Sequence, residues 1–353
     1  MTDDSLDTLG FGDAVAGLPE QLEAAHRAAA SLDLSRLPDA GDIDQIVVLG
    51  MGGSGIAGDV LAAAANDVLP VPVVVLKQYR VPAFVGPRTL AFALSYSGFT
   101  EETVGMAEAA GARGARLVTL SAGGPLAALA ERPGGVHVPA LEGLPMPRAA
   151  LGAMVAPLIV CLARIGMLPD AEEWLAEAAV ALAARRDECR PTVAGDANPA
   201  RHAARRIGRT IPLVYGGGAI GTVAAMRWKF DVNENAKAPA FWAAYPELDH
   251  HEICGWGQHG DVTRQVLTLV ELRHSYEHER LARRFDITRG IIEEALSQVL
   301  EVRARGACRL AQVLDLMYFG DWTSLYLAYD AGVDPGPIEA IVRLKDELAA
   351  VQP

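Results

Sequence analysis

Hydroxyl side chains gather where two apolar runs give way to turns. Ser54 lies within Gly50-Met51-Gly52-Gly53-Ser54-Gly55, directly after Ile46-Val47-Val48-Leu49. Ser95, Ser97 and Thr100 lie within Ser95-Tyr96-Ser97-Gly98-Phe99-Thr100-Glu101-Glu102-Thr103, directly after Leu90 to Leu94. A strand that ends in hydroxyls and then enters a helix sets them beside free amides and the positive end of the helix dipole. Gly52 and Gly53 form the backbone of the first turn, where the absence of side chains permits close approach. Such a cup suits one phosphate monoester. Capping by Ser97 or Thr100, with Glu101 and Glu102 in the first turn, accounts for one hydroxyl. It does not account for three, nor for Ser54 in a separate turn.

Two turns satisfy G-x-G-x-x-G, at Gly50, Gly52 and Gly55 and at Gly216, Gly218 and Gly221. A dinucleotide site also needs an acid about 20 residues on, at the end of the next strand. The run Val71 to Leu76 ends in Lys77, and Glu234 follows no apolar strand, so the nicotinamide reading is not supported and no cofactor is expected. The second turn brings no hydroxyl, and its glycines are equally explained by close helix-to-sheet packing. His250, His251 and Glu252 are residue types that bind zinc. Adjacent residues on an extended segment point to opposite sides, and no H-E-x-x-H spacing is present, so no metal is expected.

The elements that must position these groups follow from the apolar pattern. Short runs at Ile46 to Leu49, Val71 to Leu76, Thr89 to Leu94, Arg116 to Leu120 and Val136 to Val138 alternate with Ala-rich helical stretches, which predicts a mostly parallel sheet covered on both faces. A strand, glycine turn and helix recur from Ile211, with a later strand at Val266 to Leu272. An amphipathic helix is expected over Ile291 to Val302, and a closing helix over Pro337 to Leu348 with Leu344 and Lys345 at its buried edge. The fold class is α/β, two parallel-sheet units in tandem. The expected boundaries are a helical segment over 1–40, a first unit over 41–155, a helical connector over 156–198 and a second unit over 199–353.

The chain has 353 residues, 51% hydrophobic and 21% charged, enough for two cores and far from the signature of disorder. Its formal charge of -13 argues against nucleic acid as a partner. Cys161, Cys189, Cys254 and Cys308 form no C-x-x-C pair, which fits a reducing compartment. The acidic N-terminus lacks the pattern of an export signal. The stretch Leu151 to Leu168 is broken by Pro157 and Arg164, so a buried helix is expected there and no membrane span. The expected location is the cytoplasm.

Four segments, taken in order, resemble the sugar isomerase (SIS) proteins and within them the bifunctional phosphoglucose/phosphomannose isomerases. They are the turn at Gly50 to Gly55, the loop Ser95 to Thr103, Asn233-Glu234-Asn235-Ala236-Lys237, and Glu247-Leu248-Asp249-His250-His251-Glu252, with a similar ending from Asp334 to Lys345. The resemblance spans about residues 45 to 350 and implies two flavodoxin-like SIS units. It also implies a sugar phosphate substrate, with the phosphate on Ser54, Ser95, Ser97 and Thr100. Glu234 would be the base that moves a proton between C1 and C2 through a cis-enediol. Arg148, in Pro147-Arg148-Ala149-Ala150-Leu151-Gly152, would stabilise the enediolate. His250, contributed by the partner subunit of a homodimer, and Lys345 would assist ring opening.

The chain departs from the family pattern in three places. Phe99 stands where an Asn is usual, and Asp249-His250-His251-Glu252 replaces Asn-His-Asn-Glu, placing an acid beside His250. The threonine that precedes the terminal lysine by about two turns is missing, and Gly336, Pro337, Ile338 and Glu339 occupy its region. Ile338 would leave room for the mannose epimer without supplying a hydrogen bond. Two other readings of the scaffold remain: a sugar-phosphate sensor without turnover, and an amino-sugar-phosphate enzyme, which would need an ammonia source.

Overall fold

The computed structural model describes residues 6–132 and 134–351. Two N-terminal helices, α1 (Phe11–Ala16) and α2 (Leu18–Ala30), precede the first sheet. That sheet is built from β1 (Gln45–Gly50), α3 (Gly52–Ala65), β2 (Val73–Leu76), β3 (Thr89–Leu94), α4 (Glu101–Ala112), β4 (Arg116–Ser121), α5 (Gly124–Leu129) and β5 (Val136–Pro139). Its strands lie in the order β2-β1-β3-β4-β5, all parallel. The order reverses between β1 and β3, and in open α/β sheets ligands bind at the carboxyl ends of strands at such a switch point. Both hydroxyl-bearing turns leave the sheet there.

Two helices follow, α6 (Leu151–Arg164) and α7 (Ala171–Cys189). Every residue of α6 from Leu151 to Leu162 is buried, Pro157 included, in keeping with a helix apolar all round. The second sheet comprises α8 (Pro199–Ile207), β6 (Ile211–Gly217), α9 (Gly218–Asn235), β7 (Phe241–Tyr245), α10 (Gly260–Val266), β8 (Leu267–Arg273), α11 (Glu279–Ile292) and β9 (Gln298–Arg303), with parallel strands ordered β7-β6-β8-β9. The chain continues through α12 (Arg309–Asp330) and α13 (Glu339–Ala349). α12 is buried from Leu310 to Ala328, and one apolar cluster joins it to α2, α3, α6, α7, α9 and strands of both sheets. The two sheets share a core.

Two expectations are corrected. Ile291 to Val302 is not one helix: α11 stops at Ile292, and Gln298–Arg303 is an edge strand paired with β8 in the register Thr268↔Gln298. Its burial alternates, Leu300 and Val302 inward and Glu301 and Arg303 outward, so the period of two prevails over the helical one. The closing helix forms from Glu339, close to where it was expected, but none of its residues is buried, and Leu344 and Lys345 do not lie at a buried edge. An amphipathic pattern determines which face is apolar, not that another element covers it.

Candidate functional site

The β1–α3 turn and the loop after β3 are clipped together by one bond: Tyr96 N–H donates to Ser54 Oγ at 3.0 Å. Ser54 stands in the first turn of α3, buried, and its own proton has no acceptor among the described residues. Ser95 is buried, and its Oγ accepts from Gly98 N at 3.1 Å and Thr100 N at 3.4 Å while sharing a hydrogen bond with Thr100 Oγ1 at 2.8 Å. Thr100 occupies the N-cap of α4, yet its hydroxyl serves Ser95 and not a helix amide. Ser97 is exposed at the loop tip, bonded among the described residues only by Phe99 N at 3.3 Å. The structure therefore brings all four predicted hydroxyls to one sheet edge and divides them: Ser95 and Thr100 shape the loop, and Ser54 and Ser97 keep donors to offer.

The second glycine turn is closed. A Cβ on Gly217 would lie 2.8 Å from Leu281 and 3.0 Å from Phe285, and its carbonyl is 2.9 Å from His274 Nε2. That turn is a packing device, whereas Gly52 is exposed, with φ 49° and open space where a side chain would stand.

Arg148 reaches the first turn because Gly53 has no side chain. A Cβ there would lie 2.7 Å from both N and Cα of Arg148, so the short helical turn Pro147–Ala149 rests directly on the start of α3. The Arg148 guanidinium, 4% exposed, donates from Nε to Asn235 Oδ1 at 2.9 Å and from Nη2 to the carbonyls of Pro335 and Gly336, each at 2.7 Å. Phe11 lies beneath it, 4.8 Å from ring centroid to Cζ. Only Nη1 remains, 3.7 Å from Glu234 Oε2. Burial lowers the pKa of Arg148, and Glu234 opposes that fall.

Glu234 stands in the last turn of α9, its side chain one quarter exposed. It lines a cavity of about 690 Å³ with Asn233, Lys237, Asp334, Ile338 and Glu339. Lys237 belongs to this site although no role was read for it from sequence. Its φ is 53°, and Nζ donates to Glu234 O at 2.5 Å and to Pro335 O at 3.2 Å. Burial first, and then Arg148, lowers its pKa. No local pattern marks a lysine just past a helix end as special; its positive φ emerges only with the fold.

Two predicted residues are not brought to this center by the single chain. His250 ends a short helical turn, Glu247–His250, exposed, with no hydrogen bond or ion pair to Arg148, Glu234 or the hydroxyls among the described residues. The neighboring Asp249 directs its carboxylate to Arg284 Nη1 at 2.8 Å and Thr288 Oγ1 at 2.7 Å. Lys345 lies exposed on α13. Glu252, considered above beside the two histidines, accepts from Tyr215 Oη at 2.5 Å.

A hydroxyl cup, a buried arginine packed against its turn and a cavity-lining carboxylate beside that arginine are the parts expected of a phosphosugar site, and comparison with known proteins bears on which. Residues 196–348 match the model of the bacterial phospho-glucose isomerase C-terminal SIS domain. The chain is 35% identical, over 96% of its length and 99% of the relative's, to a bifunctional phosphoglucose/phosphomannose isomerase of Caldicellulosiruptor bescii. It belongs to that family. A protein of the same name from Aquifex aeolicus is 33% identical over 86% of this chain and 90% of the relative. The fold recurs in the C-terminal domain of glucosamine-fructose-6-phosphate aminotransferase from Francisella tularensis, with a TM-score of 0.69 at 16% identity over 96% of this chain and 100% of that one. Both sheets are thus of the SIS type within the isomerase family.

Proposed function

We infer that this chain is an aldose-ketose isomerase that interconverts glucose 6-phosphate, mannose 6-phosphate or both with fructose 6-phosphate. The observation that carries this reading is the free Nη1 of a fully anchored arginine 3.7 Å from a cavity-lining carboxylate, with the Gly53 turn of the hydroxyl cup resting against the same arginine. The phosphate binds Ser54 and Ser97, with Ser95 and Thr100 organizing the loop and Gly52 giving open backbone at the start of α3. In the open-chain aldose, Glu234 carboxylate takes the C2 proton, the electron pair forms the C1–C2 double bond, and the aldehyde oxygen becomes the enediolate oxygen. Arg148 Nη1 donates to that developing charge from a site where its other donors are already held. Glu234 then returns the proton to C1 while the proton of the C2 hydroxyl passes to the C1 oxygen, giving the ketose with a C1 hydroxyl and a C2 carbonyl.

Ring opening requires an acid and a base at the ring and anomeric oxygens. His250 of a second copy, in a homodimer, and Lys345 are the proposed groups, and an imidazole serves in either direction near neutral pH. Ile338 lines the same cavity as Glu234, consistent with space for either C2 epimer. Initial rates on glucose 6-phosphate and on mannose 6-phosphate test the reading. Turnover of both is the expected result; turnover of glucose 6-phosphate alone would remove dual specificity, and binding without turnover of either would leave a sensor in place of an enzyme.

A further inference from the structure

Beneath the Arg148–Glu234 pair lies a second arginine, in contact with the first through its main chain. Arg227 on α9 is almost wholly buried and donates from Nη2 to the Arg148 carbonyl at 2.8 Å and to Asp321 Oδ1 on α12 at 2.9 Å. Its Nε lies 2.9 Å from Asp231 Oδ1, one turn along α9. Asp231 is 0% exposed, and among the described residues neither of its oxygens receives a well-directed hydrogen bond. Three residues farther along α9 stands Glu234, and next to it Asn235, which accepts from Arg148 Nε and donates to Ser324 Oγ at 2.9 Å. Ser324 Oγ in turn donates to the Asp321 carbonyl at 2.8 Å. The arginine that faces Glu234 is therefore tied to α12 along two routes, one through its carbonyl and one through its side chain.

Catalysis alone does not require the lower layer, since Arg227 and Asp231 are both buried to 1% exposure or less and out of reach of a substrate. Packing does not require it either, because buried ion pairs are often no more stabilizing than apolar replacements. What the layer does supply is geometry. A guanidinium fork sets Nε on Asp231 while Nη2 bridges Asp321 and the Arg148 carbonyl, whereas an ammonium lacks that planar reach to all three. The charges also balance in an informative way. In the wholly buried layer Arg227 alone meets two carboxyls, Asp231 and Asp321, so one proton on Asp231 makes that layer neutral.

We propose that Arg227 is a positioning residue for the isomerase reaction, holding the Arg148 main chain against α12 so that Nη1 is kept facing Glu234. Asp321 is its ion-pair partner on α12, and Asp231 carries the proton that leaves the buried layer neutral. Burial, opposed by Arg227 and reinforced by Asp321, keeps the Asp231 carboxyl well above the usual carboxylate range. The proposal rests on the isomerase reading given above.

Four proteins test it: wild type, Arg227→Met, Arg227→Lys and Asp231→Asn, each assayed for kcat and KM and crystallized. Because displacement of a catalytic group by about 1 Å can cost roughly 100-fold, Arg227→Met is expected to lose about 10- to 100-fold in kcat with KM within about threefold. Its crystal structure is expected to have Arg148 Nε withdrawn from Asn235. Arg227→Lys, which keeps the charge should the Met variant fail to fold, is expected to show the same split with about a 10-fold loss. Asp231→Asn, an amide in place of a protonated carboxyl, is expected to stay within about threefold of wild type. A folded Arg227 variant with kcat within about twofold of wild type, or with Arg148 unmoved in its crystal structure, overturns the proposal. So does a loss in Asp231→Asn as large as that in Arg227→Met, because it removes the proton assignment. Absence of isomerization by wild type would strike the functional reading, and the position of Arg148 in the variant crystals would still decide the positioning role.

Discussion

Glu234 and Ser97 are the residues at which the chemistry and the binding separate most cleanly. Glu234 touches the reacting carbons in the proposed mechanism and carries no hydrogen bond that the fold depends on through its carboxylate, whose nearest cation is Arg148 at 3.7 Å. Glu234→Gln is expected to lower kcat by about 100- to 10,000-fold, the usual contribution of a general base, with sugar-phosphate affinity by calorimetry nearly unchanged. Ser97 is exposed and among the described residues accepts only from Phe99 N, so Ser97→Ala is expected to leave the melting temperature unchanged. Loss of one hydrogen bond to a phosphate should weaken binding by about 1.5–3 kcal/mol, seen as a rise in KM of roughly 10- to 100-fold. An unaltered KM would take Ser97 out of the phosphate cup. Ser97 could be singled out from local sequence because turn hydroxyls at a strand end have a local meaning, whereas Glu234 was singled out only through the resemblance of the segment from Asn233 to Lys237 to the family. Lys237 and Arg227 were not, because each acquires its role from partners distant in sequence, Pro335 for one and Asp321 for the other.

At the scale of elements, the contact between the start of α3 and the turn Pro147–Ala149 determines where Arg148 stands. Gly53→Ala sets a methyl group against backbone, 2.7 Å from Arg148 Cα, and backbone cannot yield as a flexible side chain does. The expected cost is about 1–3 kcal/mol of stability, with a loss of kcat that exceeds any change in KM, measured by denaturant titration and steady-state rates. Gly52→Ala meets open space and bears only the strain of its positive φ, so it is expected to retain Arg148 in place. Strand positions in the first sheet could be read in advance because buried parallel strands are continuous apolar runs such as Ile46 to Leu49. β9 was misread because Gln298 to Arg303 is too short to separate a helical period from an alternating one, and only its register with β8 resolves it. β7 went unread, since Phe241 and Trp242 are exposed at a sheet edge and the run has no buried apolar face to announce it.

The whole molecule is a pair of parallel sheets sharing one core, and its response to acid should reflect the imidazoles that core encloses. Burial holds the pKa values of His137 and His274 below the 6.5 of a free imidazole. Above about pH 6.5 neither matters; as pH falls below it the unfolded chain takes up protons that the folded chain resists, so stability is progressively lost. The melting temperature is expected to be lower near pH 5.5 than near pH 7.5, and His137→Gln is expected to flatten part of that slope. An unchanged slope in the variant would exclude His137 as a source. Assembly has its own test, because the proposed site takes Glu234 from one copy and His250 from another. Refolding a mixture of Glu234→Gln and His250→Ala chains, each inactive alone, should restore about one quarter of wild-type activity through mixed dimers. No restoration would place both groups in one chain. The central claim, that Glu234 carries a proton between C1 and C2, is tested most directly by proton NMR of fructose 6-phosphate in deuterated water, with wild type and Glu234→Gln side by side. Wild type is predicted to yield aldose 6-phosphate carrying deuterium at C2, and Glu234→Gln is predicted to yield almost none. Equal exchange by both proteins, or binding by wild type without any exchange, would contradict the account.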